Sequence, residues 1–170
     1  MNLKKLFLMQ ITNGISEEIY TILDIKDKQK LKKEENMYYL KKEYRNKLKI
    51  VITGGVFDII HYGHIYTLEK AKERGDILIV IVANDKTVFK NKTRKPIHSQ
   101  EHRQKIVSSL KPVDLCLIGE EDPIKMTEKI NPDLIVYGYD QKPFITNYPY
   151  IKLDKTEEYK TSKIIEELGI

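Results

Sequence analysis

The chain holds a single cysteine, Cys116, among 170 residues. One thiol closes no intramolecular disulfide, so the fold must rest on its own core, and a reducing cytoplasm is the expected setting. Set in an apolar run, Cys116 reads as a small buried hydrophobe. Apolar runs of membrane-spanning length are also missing, and no membrane association is expected. The opening Leu3-Lys4-Lys5-Leu6-Phe7-Leu8-Met9 is too short an apolar stretch for a secretory leader. Charge of one sign is in small excess, a formal +5. What is present, 41% hydrophobic and 32% charged residues, describes a soluble, globular chain long enough to bury a core.

The basic excess is unevenly placed. Residues 1–48 hold 11 Lys/Arg against 7 Asp/Glu, whereas 49–170 hold 19 against 18. The first stretch reads as a small helical extension. Leu3, Leu6, Phe7 and Ile11 recur at helical spacing until Asn13-Gly14 stops them. Ser16 caps a second helix from Glu17, with two acidic residues in its first turn. Lys26 to Glu35 reads as a third, strongly charged helix, and Met37-Tyr38-Tyr39-Leu40 as a short strand. This order resembles part of a winged helix-turn-helix. Its basic excess is compatible with nucleic acid but small for that purpose. A surface-packed extension or a dimerisation arm is the competing reading.

From Lys49 onward strands and helices alternate. Strands are expected at Ile50–Thr53, Ile77–Ala83, Val113–Ile118, Leu134–Tyr137 and Tyr150–Leu153. Helices are expected over Gly63–Arg74, Gln100–Leu110, Pro123–Ile130 and Ser162–Leu168. The run Ile77-Leu78-Ile79-Val80-Ile81-Val82 is apolar throughout, as in a strand covered on both faces. Such alternation predicts an α/β fold, a doubly wound, Rossmann-like parallel sheet over 49–170, with ligands outside the carboxyl ends of the strands.

One stretch at such an end concentrates the chemistry. Gly54 and Gly55 follow the first strand and let a backbone approach a ligand. His61 and His64 then stand three apart, with Gly63 between them, where a helix begins. At that spacing both imidazoles share one face. The unpaired N–H groups and positive dipole end of a helix start suit phosphate.

His61-Tyr62-Gly63-His64 resembles the His-x-Gly-His hallmark of the cytidylyltransferase-like nucleotidyltransferase superfamily. Further similarities follow in order: Asn84-Asp85-Lys86-Thr87-Val88, Arg94-Lys95-Pro96-Ile97, Glu101-His102-Arg103, Gly138-Tyr139-Asp140-Gln141 and Lys160-Thr161-Ser162-Lys163-Ile164-Ile165. The resemblance covers about 49–168. It implies transfer of a nucleotidyl group from a nucleoside triphosphate, ATP or CTP, to a phosphate-bearing acceptor, with pyrophosphate leaving. It also implies Mg²⁺ or another divalent cation bridging triphosphate oxygens with few protein ligands, no dedicated metal-ligand set, and a homodimer.

Under this resemblance His61 and His64 donate to the α-phosphate and leaving oxygens. Lys92, on the loop after the second strand, supplies a mobile cation, with Lys90 and Arg94 as alternatives. Nucleotide contacts are expected from Gly54, Gly55, Val56, Phe57, Gly63, Arg103, Gly138, Asp140, Thr161 and Ser162. Acceptor contacts are expected from Asp58, Lys90, Arg94, Lys111 and Tyr139; Asp58 also reads as a residue that fixes its loop through backbone N–H groups. Tyr137, Tyr139, Tyr148, Tyr150 and Phe144 surround an acceptor or base pocket. Three positions in two motifs depart from the pattern: Val56 replaces a hydroxyl residue, and Lys155 and Lys160 replace an arginine and a serine before the last helix.

Two sub-families compete. His98-Ser99-x-Glu101-His102-Arg103 is similar to glycerol-3-phosphate cytidylyltransferases, which use CTP. The Asn84, Arg94, Gly138 and Tyr159–Ile165 segments are similar to archaeal-type FAD synthetases, span more of the chain, and favour adenylyl transfer from ATP to FMN. Lys142–Asp154 is shorter than in those relatives, as if a helix had been lost. A reading of another class is a DNA-binding regulator that senses a nucleotide.

Overall fold

The structure, a computed structural model, describes residues 1–92 and 95–154, with the backbone alone at 91 and 92. The chain divides into two compact units, Met1–Lys49 and Ile50–Ile170. None of the described helices is long and apolar enough to cross a membrane.

The first unit packs α1 (Leu3–Thr12), α2 (Glu17–Ile22) and α3 (Ile25–Lys28) with the hairpin β1 (Leu31–Glu34) and β2 (Met37–Leu40), followed by α4 (Lys42–Arg45). Each of the first three helices is started by a side chain. Asn2, Ser16 and Asp24 accept from Lys5, Ile19 and Asp27 backbone N–H groups. Gly14, at φ 74°, turns the chain after α1, a left-handed conformation that a side chain resists. Ile15 then bridges antiparallel to Tyr38 and adds a third strand segment beside β2. Leu6, Phe7, Ile11, Ile15, Leu31, Tyr38 and Leu40 form the buried interior.

The charged helix expected over Lys26–Glu35 is not formed. The helix is one turn long, and Leu31–Glu34 pairs in register with Met37–Leu40. Glu35 takes φ 52° and makes the turn. Leu31 buries its side chain while the rest of β1 is exposed, so one apolar contact and the pairing with β2 outweigh the helix propensity of the lysines.

The second unit is a parallel sheet of β3 (Ile50–Gly55), β4 (Ile77–Val82), β5 (Leu115–Ile118), β6 (Leu134–Tyr137) and β7 (Tyr150–Lys152), in the order β5-β4-β3-β6-β7. The direction of travel reverses between the two halves, so right-handed crossovers place their helices on opposite faces. α5 (Tyr62–Lys72) and α7 (Gln100–Ser108) cover one face. Leu68, Ala71 and Val107 pack there against Val51, Leu78, Val80, Val82, Cys116 and Val136. Cys116 is buried, and its thiol is pushed up to about 12 by that burial. α8 (Pro123–Ile130) lies on the other face, opened by Pro123 behind the Asp122 cap and closed by Asn131 at φ 48°.

Aspartates fix where strands begin. Asp133 accepts the Ile50 N–H at 2.6 Å, and Asp114 accepts the Leu78 N–H at 2.7 Å and pairs with Lys72. The expected strands are all present, the third shortened at its start. The expected loop after β4 is instead α6 (Asp85–Lys92). No helix joins β6 to β7; residues 138–149 cross over as irregular chain. The helix expected over Ser162–Leu168 lies outside the described residues.

Candidate active site

The carboxyl ends of β3, β4 and β6 open on one cavity of about 990 Å³, large enough for a nucleotide and a second ligand. Its floor is the α8 face of the sheet, with Ile52, Ile81, Ile135 and Met126. The histidine pair stands at its centre, with Gly119, Glu120, Pro123 and Thr127 toward one side and Gly138, Tyr139, Asp140 and Phe144 toward the other.

Both imidazoles are held by α5. His61 is its N-cap residue in extended conformation, and no side chain caps this terminus. His64 lies one turn in, its N–H bonded to His61 O at 3.0 Å. The rings stand 3.9 Å apart between centroids, and Phe57 packs on His64 at 5.1 Å. Leu68 and Ala71, on the same helix, are wholly buried and rivet it to the sheet. Burial pushes the His61 pKa below its ordinary 6.5, with the Asp140 carboxylate acting the other way. A neutral imidazole is therefore the resting form near pH 7. Its buried Nδ1 has no hydrogen-bond partner among the described residues. A donor or acceptor brought by a ligand would complete it.

The glycine turn is built for close approach. A Cβ on Gly54 would lie 3.3 Å from Ile81 O, and one on Gly55 would lie 2.9 Å from the Phe57 ring. Phe57 itself takes φ 54°, a strained value for an aromatic residue and one that clusters at functional sites. Gln141, which the motif contained but the residue-by-residue reading gave no role, pins this turn from the β6 side. Its Nε2 donates to Gly54 O and its Oε1 accepts from Gly138 N–H, each at 2.7 Å. Asn84 does the same between β4 and β5, donating to Gly119 O at 2.8 Å and accepting from Thr87 N–H.

Of the residues singled out by sequence, the cavity brings together Gly54, Gly55, Val56, Phe57, His61, Gly63, His64, Gly138, Tyr139 and Asp140. Others stand elsewhere. Arg103 is fully buried and its guanidinium is committed inside the fold. It donates to His98 O (3.0 Å), Val56 O (2.6 Å) and Asp85 Oδ1 (2.5 Å). It ties the glycine turn to the start of α6 rather than reaching nucleotide. Asp58 is likewise a buried clamp, accepting Ile97 and His98 N–H groups at 3.0 Å each, in keeping with its other reading as a residue that fixes its loop through backbone N–H groups. Lys111 precedes β5 and so lies at the amino ends of the parallel strands, roughly 13 Å of strand away from the carboxyl ends. Lys90 is exposed on α6, and Lys92 ends that helix rather than standing on a loop. Arg94, Thr161 and Ser162 lie outside the described residues. Tyr137 spends its hydroxyl on Ile145, accepting from its N–H at 3.1 Å and donating to its carbonyl at 3.3 Å. Tyr137 and Phe144 nevertheless line the cavity, and Phe144 and Tyr150 stand edge-on to the Tyr137 ring.

A glycine turn, two imidazoles at an uncapped helix start and a cavity reaching to both sides define an enzyme that moves a phosphate-linked group between two ligands. The comparisons agree. Residues 52–167 match the model of the cytidylyltransferase-like family, and the chain belongs to that family and is a nucleotidyltransferase. It is similar to FAD synthase of Thermococcus sibiricus, at 42% identity over 134 residues, covering 69% of this chain and 90% of the relative. FAD synthase of Thermococcus onnurineus is 38% identical, with 76% and 96% covered. Among solved structures, the lipopolysaccharide core biosynthesis protein of Thermoplasma volcanium superposes with a TM-score of 0.61 at 34% identity, covering 65% of this chain and 99% of that one.

Proposed function

We propose that the chain transfers the adenylyl group of ATP to FMN, giving FAD and pyrophosphate. The observation that carries this reading is the similarity to FAD synthases across nearly their whole length, with the histidine pair at the centre of the cavity. A phosphate oxygen of FMN attacks the α-phosphorus of ATP. The new P–O bond forms as the bond to the β-phosphate bridging oxygen breaks, and pyrophosphate carries the electron pair away. Such in-line displacement asks the protein for positioning and charge stabilisation rather than a covalent intermediate. His61 and His64 donate hydrogen bonds to the α-phosphate and leaving oxygens, and the α5 terminus adds its partial positive charge. Lys92, Thr161 and Ser162 complete the triphosphate site in this reading, and Tyr139 and Asp140 contact sugar or acceptor.

A divalent cation fits as part of the nucleotide. Among the described residues no three His, Cys, Asp or Glu side chains gather to hold a metal, and triphosphate oxygens with water satisfy Mg²⁺ with little help. Such an ion, when bound, would shield phosphate charge; the residues above orient the phosphates.

The test is pyrophosphate release with ATP or CTP crossed against FMN and glycerol-3-phosphate, using the parent chain and His64→Ala. Release with ATP and FMN, abolished in the variant, is expected. Release only with CTP and glycerol-3-phosphate would refute the substrate pair. Release unchanged in His64→Ala would refute the catalytic assignment. Light scattering on the same sample tests the homodimer that belongs to this reading.

A further inference from the structure

The family match begins at residue 52, so Met1–Lys49 is a unit that nucleotidyl transfer does not account for. Its 12 Lys/Arg and 7 Asp/Glu carry a net +5, the formal charge of the whole chain, while 50–170 balance at zero. The charges are also unevenly placed within it. Met1 stands beside α3, its nitrogen 2.7 Å from Asp27 and its carbonyl 3.2 Å from Lys30 Nζ. Lys30 O in turn accepts the Lys41 N–H at 2.9 Å. The first turn of α1, α3 and the start of α4 therefore converge, bringing Lys4, Lys5, Lys26, Lys41 and Lys42 to one end, while Lys28 turns away to Thr21 O and the Tyr20 ring. Burial would raise the Asp27 carboxyl, but Lys30 and the Met1 nitrogen outweigh this and hold its pKa below the usual range. That carboxylate is paired in place with Lys30 and the Met1 nitrogen. Glu17 holds Lys33 and Glu34 holds Lys32 on the hairpin side, while Asp24, Asp27 and Glu43 share the end that carries the other lysines. The end with Lys4, Lys5, Lys26, Lys41 and Lys42 still carries more lysines than carboxylates.

We propose that this unit binds duplex DNA through the cationic end, by phosphate contacts. Three helices followed by a hairpin place α2, a short turn and α3 as a helix-turn-helix. α3, at one turn, is too short to read base edges along a major groove, so affinity comes from the backbone and is weakly sequence-dependent. Lysines from three separate elements suit a strand of phosphates better than a single anionic group.

The experiment is fluorescence anisotropy of a labelled 24-base-pair duplex titrated with the full chain in 50–200 mM KCl. With about five phosphates neutralised at about 0.9 counterion each, affinity is expected to fall about 500-fold across that range. Lys26→Gln with Lys42→Gln is expected to weaken binding at least tenfold at 50 mM and to lower the salt slope by about 2. Lys4→Gln with Lys5→Gln reports on the same surface from another element, should the first pair fail to fold. Lys32→Gln with Lys33→Gln, on lysines already paired, is expected to change affinity less than threefold. Circular dichroism melts verify folding of each variant. The proposal is overturned by no anisotropy change at 50 mM, or by equal losses in all three variants. Equal affinity for a single strand of the same length also overturns it, as does binding to vesicles of phosphatidylglycerol and phosphatidylcholine without binding to duplex.

Discussion

Replacing Arg103 by methionine isolates the knot behind the active-site turn. The side chain is fully buried and donates to two carbonyls and one carboxylate. Methionine fills much of the volume and supplies no donor. Each neutral hydrogen bond is worth about 1 kcal/mol and the charge-assisted one about 2 kcal/mol. Breaking a buried pair costs about 3–5 kcal/mol. Asp85 is 41% exposed, so water takes up part of its charge when the arginine goes. The expected loss is therefore near the lower end, about 3 kcal/mol, which for a domain of this size lowers Tm by roughly 12 °C. Asp85→Asn keeps an acceptor and should cost about 1 kcal/mol. Because Val56 and the start of α6 are both released, pyrophosphate release by Arg103→Met should fall more in kcat than in the KM for ATP, measured well below its melting temperature. Arg103→Lys, which keeps the charge but not the fork, should recover part of the stability and little of the rate. A melting temperature within about 4 °C of the parent, or an unchanged kcat, would refute the account of this arginine as the link between turn and helix.

Two further outcomes are expected. The folded pKa of His61 lies below its ordinary value, so the unfolded chain takes up the proton first as pH falls. The stability involved is complete above pH 6.5 and is lost as pH falls through the lowered folded value; melts at pH 7.5 and 5.5 should show a larger drop for the parent than for His61→Asn. Gly55→Ala places a methyl 2.9 Å from Phe57, which is 3% exposed and has little room to retreat. It should cost about 1–3 kcal/mol by chemical denaturation, with reduced pyrophosphate release because Phe57 supports His64.

Most of the second unit was legible in the sequence because its signals are strong and local. Ile77–Val82 can scarcely be anything but a central strand, and Asp122-Pro123 with Asn131 marks both ends of α8. α6 was hidden because Asp85–Lys92 is polar around much of its surface, and its start depends on Asn84 accepting the Thr87 N–H. β1 was hidden because Leu31-Lys32-Lys33-Glu34 has helical composition, and only pairing with β2 makes it a strand. In the active site, the glycines and histidines were visible as a motif, and Asp58 as a residue that fixes its loop through backbone N–H groups, while the fate of Arg103 was not. A charge on a polar helix reads as surface; its burial is fixed by partners distant in sequence. Lys111 misled for a related reason: lysine beside a strand is common to both ends of a parallel sheet, and only the direction of β5 separates them.

The turn of α5 that carries His64 is continuous with the turn that buries Leu68, and Ala71 follows one turn later. The backbone that carries His64 cannot shift without disturbing these buried side chains. The ordering that transfer requires is therefore completed when the unit folds, and little of it is left to be met at each turnover. On heating, activity and fold are therefore expected to be lost together, a coincidence that activity and circular-dichroism melts on one sample would check.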